Sequence, residues 1–145
     1  MRPVKAIDAH ARPRPDPSRA TLRLFGPILI ITGILGFVIP QRKALTSGAP
    51  SYNVFHLIFG GLGVACAASP RRRPAQIFNI GFGALDLYQF VASRRGWFPK
   101  RWFRWKAADD VLHLAVGCGL ILAGLCARPS PSSPSPFRPS SGSTL

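Results

Sequence analysis

Four blocks of apolar residues divide the chain, and the segments between them carry almost every charge. The blocks cover residues 22–39, 52–68, 77–92 and 108–126. The first block has no charged residue from Leu24 to Ile39 and approaches the ~20 residues that a helix needs to cross a bilayer. It is apolar on every face, whereas the helices of soluble bundles are usually amphipathic. The pattern therefore predicts an all-α fold, a bundle of four transmembrane helices.

The third block is the least apolar of the four. Asn79, Asp86 and Gln89 interrupt it. An acidic residue at the centre of a membrane helix costs roughly 3 kcal/mol on insertion scales. These residues keep a soluble helical bundle open as the alternative to a membrane domain.

The two ends of the chain have a different composition. Residues 1–21 are rich in proline and arginine, and residues 127–145 are rich in serine and proline. Such segments cannot bury enough apolar surface to offset the entropy of ordering. The sequence therefore predicts a single transmembrane domain over residues 22–126 between two disordered tails.

The formal net charge of +14 would suggest a nucleic-acid partner in a soluble protein. Here the basic residues lie in the tails and loops at the ends of the predicted helices, where they contact lipid headgroups and set orientation. Eleven lysines and arginines lie on the side of the termini and eight on the other side, which favours cytoplasmic termini. The predicted partner is the lipid bilayer, with no nucleic acid.

All three tryptophans lie in the loop before the last apolar block. Trp97, Trp102 and Trp105 alternate with basic residues over residues 96–106. Aromatic rings beside lysine and arginine are typical of a segment at the membrane interface. We predict that these tryptophans are interfacial anchors, with a docking surface for a partner as the alternative.

A repeated motif links the second and fourth blocks. Asn53-x-x-His56-Leu-x-x-Gly60 recurs 57 residues later as Asp110-x-x-His113-Leu-x-x-Gly117. The same offset relates the Phe-Gly pair at residues 25–26 to the pair at residues 82–83. The sequence therefore predicts that a helical hairpin has been duplicated, with the two copies related by an axis along the membrane normal.

The spacing of the motif places its polar residue, histidine and glycine on one stripe of each helix. Small residues extend the stripe, and small residues let membrane helices pack closely. The predicted helix-packing residues are Gly60, Gly63, Gly117 and Gly124. The histidines then face inward, at nearly the depth of the acid in the third block. This predicts an intramembrane polar cluster of His56, His113 and Asp86, with Asn53 and Asp110 one turn nearer the surface.

These features resemble a family of small bacterial four-span membrane proteins that is known only as a domain of unknown function. The resemblance rests on the paired motifs and on Gly-Phe-Val-Ile-Pro at residues 36–40, and it covers residues 22–125. It implies a multi-pass protein of the bacterial inner membrane. It does not indicate any particular activity.

Three functions fit the predicted cluster. In the first, the motifs are hydrogen-bonded clamps between helices, and the protein is a structural or accessory membrane component, alone, as a homo-oligomer or with a membrane protein partner. In the second, ionisable groups inside the membrane belong to a proton or small-solute pathway. In the third, the two histidines bind haem iron, or bind a metal with Asp86 and Asp110.

The sequence has no motif of a known catalytic site. It contains no phosphate-binding glycine loop, no metalloprotease motif and no nucleophile in a recognisable setting. Cys66, Cys118 and Cys126 lack the spacing of a zinc or disulfide framework and are interpreted as packing residues. We therefore expect no enzyme activity and no resident cofactor.

Overall fold

The structure is a computed structural model that describes residues 16–127. Helices are the only regular secondary structure in this range, which confirms the all-α prediction. There are four long helices and one short one: α1 (Pro17–Val38), α2 (Pro50–Ala68), α3 (Arg73–Arg95), α4 (Lys100–Phe103) and α5 (Ala107–Leu125). Most of both predicted tails, residues 1–15 and 128–145, lies outside the described residues.

The first helix begins five residues before the predicted span. The Asp16 side chain accepts a hydrogen bond from the Ser18 backbone N–H at 3.1 Å, and Pro17 occupies the first turn, as is common in helices. The Ser18 hydroxyl donates to the carbonyl oxygen of Ala123 in α5 at 3.0 Å and is fully buried. Residues 17–21 were predicted as part of a disordered tail. They are helical because of this cap and this contact between helices.

Three of the described helices, α1, α2 and α5, are long and apolar enough to cross a membrane. The predicted third span lies in α3, which does not meet the same criterion of composition, because polar residues interrupt it and arginines lie at both of its ends. α3 is nevertheless the longest helix, with 23 residues, and ends at Gly96, whose φ of 73° suits glycine. That α3 crosses the membrane, as the last of the four spans to be accounted for, stays a prediction.

The long helices pack most closely in two pairs, α1 with α2 and α3 with α5. We call these the first and the second hairpin. In the first, a Cβ atom added to Gly60 would lie only 2.9 Å from the Gly26 carbonyl oxygen. In the second, a Cβ atom on Gly83 would lie 2.7 Å from the Gly117 carbonyl oxygen. Each hairpin is therefore closed by backbone-to-backbone contact that only glycine permits.

The contacts of the two hairpins correspond residue by residue at the offset of 57. Each of these glycines also faces one aliphatic side chain of the opposite helix, and the four pairs are Gly26 with Val64, Gly60 with Ile30, Gly83 with Ile121 and Gly117 with Leu87. Gly124 packs against Ile80 in the same interface of the second hairpin. Gly63 is looser, since its nearest neighbour is the ring of Phe78 in α3, at an ordinary contact distance of 3.5 Å.

The two hairpins meet through aromatic side chains. Phe82 of the second hairpin lies between Phe25, Phe55 and Phe59 of the first, with ring centroids 5.0 to 6.0 Å apart. Toward the end of the molecule at which α1 begins, Leu22, Ala75 and Leu120 are almost fully buried. The larger apolar cluster therefore extends into the half of the molecule that lies away from the tryptophan-rich segment, and a smaller one, of Ala49, Tyr52, Ala92 and Trp105, lies beside that segment.

Apolar and polar side chains are distributed in the reverse of the soluble pattern. Large apolar side chains lie on the outer faces of the long helices, and Leu24, Ile31, Ile58 and Leu122 are 55 to 69% exposed. The buried side chains include many polar ones: Asn53, His56, Asn79, Asp86, Gln89, Ser93, Asp109, Asp110 and His113. Soluble proteins rarely expose such continuous apolar surface.

The glycine contacts lead to a first prediction, on stability. Gly60→Ala and Gly117→Ala should each lower the free energy of unfolding by about 1 to 3 kcal/mol, because the added methyl group collides with backbone atoms of the facing helix. Thermal unfolding in mild detergent measures the effect.

The matched controls are Gly61→Ala and Gly119→Ala, which lie beside the first pair on the same helices and have open space around the added Cβ atom. They should leave the free energy of unfolding unchanged or raise it by up to about 1 kcal/mol, because alanine favours a helix more than glycine does. Equal effects of the two sets would contradict the close glycine contacts.

Candidate functional site

A cavity of about 110 Å³ lies where the two hairpins meet. All four long helices line it, with Phe25, Ile28, Leu29, Thr32, Tyr52, Phe55, His56, Phe82, Asp86, Leu112, His113 and Val116. Three of these residues, His56, Asp86 and His113, form the centre of the polar cluster expected from the sequence. The structure places all three around one cavity, on three different helices.

Tyr52 connects the two histidines. Its hydroxyl group lies 2.6 Å from Nε2 of His113 and forms a buried hydrogen bond, in which the donor depends on the imidazole tautomer. The Tyr52 ring also packs against His56, with ring centroids 4.2 Å apart. Because Tyr52 belongs to α2 and His113 to α5, this hydrogen bond joins the first hairpin to the second.

Asp86 lies at the same cavity without a hydrogen bond to either histidine among the described residues. Its Oδ1 accepts a long hydrogen bond of 3.4 Å from Nε2 of Gln89, one turn further along α3. Nδ1 of His56 and Nδ1 of His113 are buried and find no partner within residues 16–127. The cavity therefore brings together groups that still have hydrogen-bonding capacity.

Asn53 and Asp110, the equivalent polar residues of the two motifs, lie inside their own hairpins. The Asn53 amide fills the space above Gly36 of α1, and its residue is 1% exposed. The carboxylate of Asp110 pairs with Arg94 of α3, with an N–O distance of 3.1 Å. Neither residue lines the cavity, but each precedes its histidine by one helical turn and so lies nearer the loop end of its helix.

The tryptophan-rich segment does not lie entirely on the surface. Trp97 and Trp102 are 52% and 68% exposed, as suits interfacial anchors. Trp105 is only 8% exposed, and its ring packs against His113 and Tyr52 at centroid distances of 5.4 and 6.4 Å. Trp105 therefore differs from the anchor predicted for it, because the chain turns inward before α5 and buries the ring beside the cavity.

Two loops bind each other over this end of the molecule. The carboxylate of Asp109 accepts hydrogen bonds from the backbone N–H groups of Ser47 at 2.8 Å and of Lys106 at 2.7 Å. The Ser47 hydroxyl donates to the carbonyl oxygen of Phe103, and the Ser51 hydroxyl donates to that of Trp102 at 2.7 Å. We call the joined loops, residues 39–49 and 96–106, the loop cap. It lies over the loop end of the bundle, where the rings of Phe103 and Trp105 pack against Tyr52.

Two residues of this site, Tyr52 and Asp109, were not identified in the sequence. Both lie next to the polar residue that opens a motif, and the offset of 57 makes them equivalent positions. Tyr52 also precedes His56 by four residues, so both side chains share the inward face of α2. This helical spacing was the available signal for Tyr52, whereas the role of Asp109 depends on a loop that is distant in sequence.

The donor set for a metal ion is limited. Among residues 16–127, no group of three or more His, Cys, Asp and Glu side chains is arranged to hold one. One ring nitrogen of His113 already bonds to Tyr52, so a haem ligand at that atom would have to break this bond. The haem or metal alternative stays a prediction without support from this geometry.

The hydrogen bonds of Asp109 lead to a second prediction. Asp109→Ala should lower the free energy of unfolding by about 2 kcal/mol, because it leaves the buried N–H group of Ser47 and the partly buried N–H group of Lys106 without this partner. Amide hydrogen exchange over residues 39–49 should accelerate, since that loop loses its attachment to α5.

Asp110→Ala is the control on the same helical turn. Its partner Arg94 is 63% exposed at the side chain, and such pairs contribute about 1 kcal/mol or less. If exchange in residues 39–49 is unchanged in the Asp109 variant, the attachment of the loop cap by this carboxylate is refuted.

Comparison of the chain with known protein families, with curated proteins and with solved structures finds no match in any of the three. The resemblance to a four-span family of unknown function therefore stays a prediction from the motifs.

Proposed function

We propose that this chain is a multi-pass protein of the bacterial inner membrane, with four spans built from a duplicated helical hairpin and with cytoplasmic termini. We further propose that it is a structural or accessory membrane component, in which the histidine motifs fix the position of one hairpin against the other. It is not proposed as an enzyme.

Support for four spans comes from the way α3 buries its polar residues. Asn79, Asp86 and Gln89 are at most 4% exposed, whereas Ile77 on the outer face is 60% exposed. The helix is about 34 Å long at 1.5 Å per residue, which exceeds the ~30 Å hydrocarbon core. α3 can therefore lie in a bilayer with an apolar surface toward the lipid and its polar side chains toward the protein.

Support for duplication comes from the interfaces of the hairpins. The two glycine contacts of the first hairpin recur in the second at an offset of 57 residues, although the aliphatic partners change from valine and isoleucine to isoleucine and leucine. A shared offset in both sequence motif and contact pattern is the expected result of copying one hairpin. Two copies in the same orientation put both termini on one side of the membrane.

The observation that carries the structural role is the hydrogen bond between Tyr52 and His113. Around the cavity the hairpins otherwise meet through aromatic and aliphatic side chains, which can slide against each other at little cost. At the opposite end of the bundle, hydrogen bonds of Ser18 with Ala123 and Asn79 also join the two hairpins. A hydrogen bond between membrane helices contributes on the order of 1 kcal/mol and requires one register. The bond therefore acts as a clamp, and the outer faces of the bundle remain free for a second copy or for a membrane protein partner.

A proton or small-solute pathway is the second candidate. The observation in its favour is that His56 and Asp86, both ionisable, line the same cavity. The opposite half of the molecule is filled by the buried side chains of Leu22, Ala75 and Leu120. A path across the membrane would have to displace this core, so the structural role ranks first.

The topology is tested by cysteine labelling, as a third prediction. In a variant without native cysteines, single cysteines replace Leu45, Arg71 or Trp102, and intact cells are treated with a maleimide that does not cross membranes. Positions 45 and 102 should react from outside and position 71 only after the cells are opened, because α3 separates positions 71 and 102. Reaction of positions 71 and 102 from the same side would refute α3 as a span.

The clamp is tested by a double-mutant cycle, as a fourth prediction. Tyr52→Phe and His113→Leu should each lower the free energy of unfolding in mixed micelles, and their effects should be coupled by about 0.5 to 1.5 kcal/mol, since either change removes the same hydrogen bond.

The control cycle replaces Tyr52→Phe by Tyr88→Phe. The Tyr88 hydroxyl bonds to the carbonyl oxygen of Phe98, far from His113 in the hydrogen-bond network. This second cycle should be additive. Additive effects in the first cycle as well would remove the basis of the proposed clamp.

A further inference from the structure

The cavity has a mouth between the two hairpins. Ile28 of α1 and Leu112 of α5 line it, and they are 46% and 49% exposed, so they reach from the cavity to the outer surface. On a four-span protein this outer surface faces lipid. The loop cap covers the end of the molecule nearest to water. A molecule dissolved in the bilayer therefore has a more direct route to the cavity than a molecule dissolved in water.

Aromatic rings form the inner wall of the cavity. Phe25, Phe55 and Phe82 line it, and each of the first two rings lies about 6 Å from Phe82. The ring of Tyr52 completes this wall on the side of the loop cap. Aromatic side chains favour stacked or edge-to-face contact with another planar ring. The wall thus favours a flat ring over a flexible chain.

The same cavity contains hydrogen-bonding groups that the protein leaves available. His56 and Asp86 line it at 8% and 4% exposure, and neither bonds to the other among the described residues. Polar groups away from water cost several kcal/mol unless they find a partner. An occupant with an oxygen atom at this position would supply one, whereas a hydrocarbon would not.

We propose that the cavity binds the ring of a lipid-soluble molecule that carries a hydroxyl or carbonyl oxygen, the class that includes alkylphenols and quinones. The ring lies against the phenylalanines, and its oxygen bonds to the His56 imidazole, which can donate to a carbonyl or accept from a hydroxyl. Its alkyl substituent leaves between Ile28 and Leu112. This inference rests on the proposed four-span topology and goes beyond the structural role.

The volume suits one ring. Closed apolar cavities of roughly 150 Å³ bind benzene. The present cavity has about 110 Å³ and an open mouth, so a six-membered ring fits while its substituents extend into the bilayer. A haem or a second aromatic group would not fit without separating the hairpins.

The experiment uses the full chain in mild detergent and measures saturable binding by titration calorimetry. The probes are 4-heptylphenol and 2-decyl-1,4-benzoquinone, with heptylbenzene and octanol as controls that lack either the oxygen or the ring. We expect one binding site for at least one probe and at least tenfold weaker binding of both controls. His56→Phe should weaken the binding of the probe roughly five- to tenfold, because one hydrogen bond is lost while the aromatic wall of the cavity is kept.

A second variant keeps the test independent of the buried histidine. Leu112→Trp fills the mouth from a half-exposed position and should weaken probe binding at least tenfold. Its matched control is Leu114→Trp, on the same helix at 44% exposure and outside the cavity, which should bind as the unaltered protein does. The proposal is overturned if Leu112→Trp binds the probe as tightly as the unaltered protein does. It is also overturned if heptylbenzene or octanol binds as tightly as the probe.

Failure of this inference can be told apart from failure of the proposed function. Suppose that neither probe binds, while the labelling pattern shows four spans and the Tyr52–His113 cycle is coupled. The ligand site is then refuted and the structural role is still supported. If positions 71 and 102 label from one side, the topology on which both depend is refuted.

Discussion

The close approach of glycine backbones determines most of this structure. Gly26 meets Gly60, and Gly83 meets Gly117, at distances that no side chain beyond a hydrogen atom allows. Because lipid tails are as apolar as leucine, membrane helices gain little from burying aliphatic surface and depend on such close packing. Each helix therefore makes its tightest contact with one partner, and two hairpins result.

The cavity follows from this arrangement. Large rings, chiefly those of Phe25, Phe55 and Phe82, fill the interface between the hairpins, and they cannot pack as closely as glycine backbones. Space remains at the level of His56 and His113. His56, Asp86 and His113 line this space, while the outer faces of the helices are apolar. The gap between the hairpins and the polar site within it thus both result from the bulky aromatic rings at this interface.

The two halves use equivalent positions for different purposes. Tyr52 and Asp109 are 57 residues apart and precede the two motifs in the same way. Tyr52 points to the cavity and bonds to His113, while Asp109 binds the loop at residue 47. The histidines therefore differ in environment, because His113 bonds to the Tyr52 hydroxyl and His56 packs against the Tyr52 ring at an interplanar angle of 52°. The two hairpins therefore share equivalent glycine contacts but present different histidine environments to the cavity.

The tryptophan-rich segment, residues 96–106, resembles a simple membrane anchor, but as part of the loop cap it also covers one end of the bundle. Its exposed tryptophans remain at the surface, but Trp105 and the hydrogen bonds of Asp109 close the polar end of the bundle. Access from water is reduced and the mouth between α1 and α5 remains. The physical basis of the proposed ligand class is this combination of a closed polar end and an open apolar side.

The sequence by itself determined the helical class, the limits of the long helices to within a few residues, and the inward placement of His56, His113 and Asp86. These follow from local rules, since hydrophobic block length and a spacing of three or four residues do not depend on distant parts of the chain. The early start of α1 depends on contact with Ala123 and on the cap at Asp16, which the pattern of apolar residues does not reveal. Only the tertiary structure decided that Tyr52 bonds to His113, that Asp109 holds a distant loop and that Trp105 is buried. Each of these depends on how one hairpin or loop rests against another, and such contacts are set by packing between segments that have no fixed spacing in the sequence.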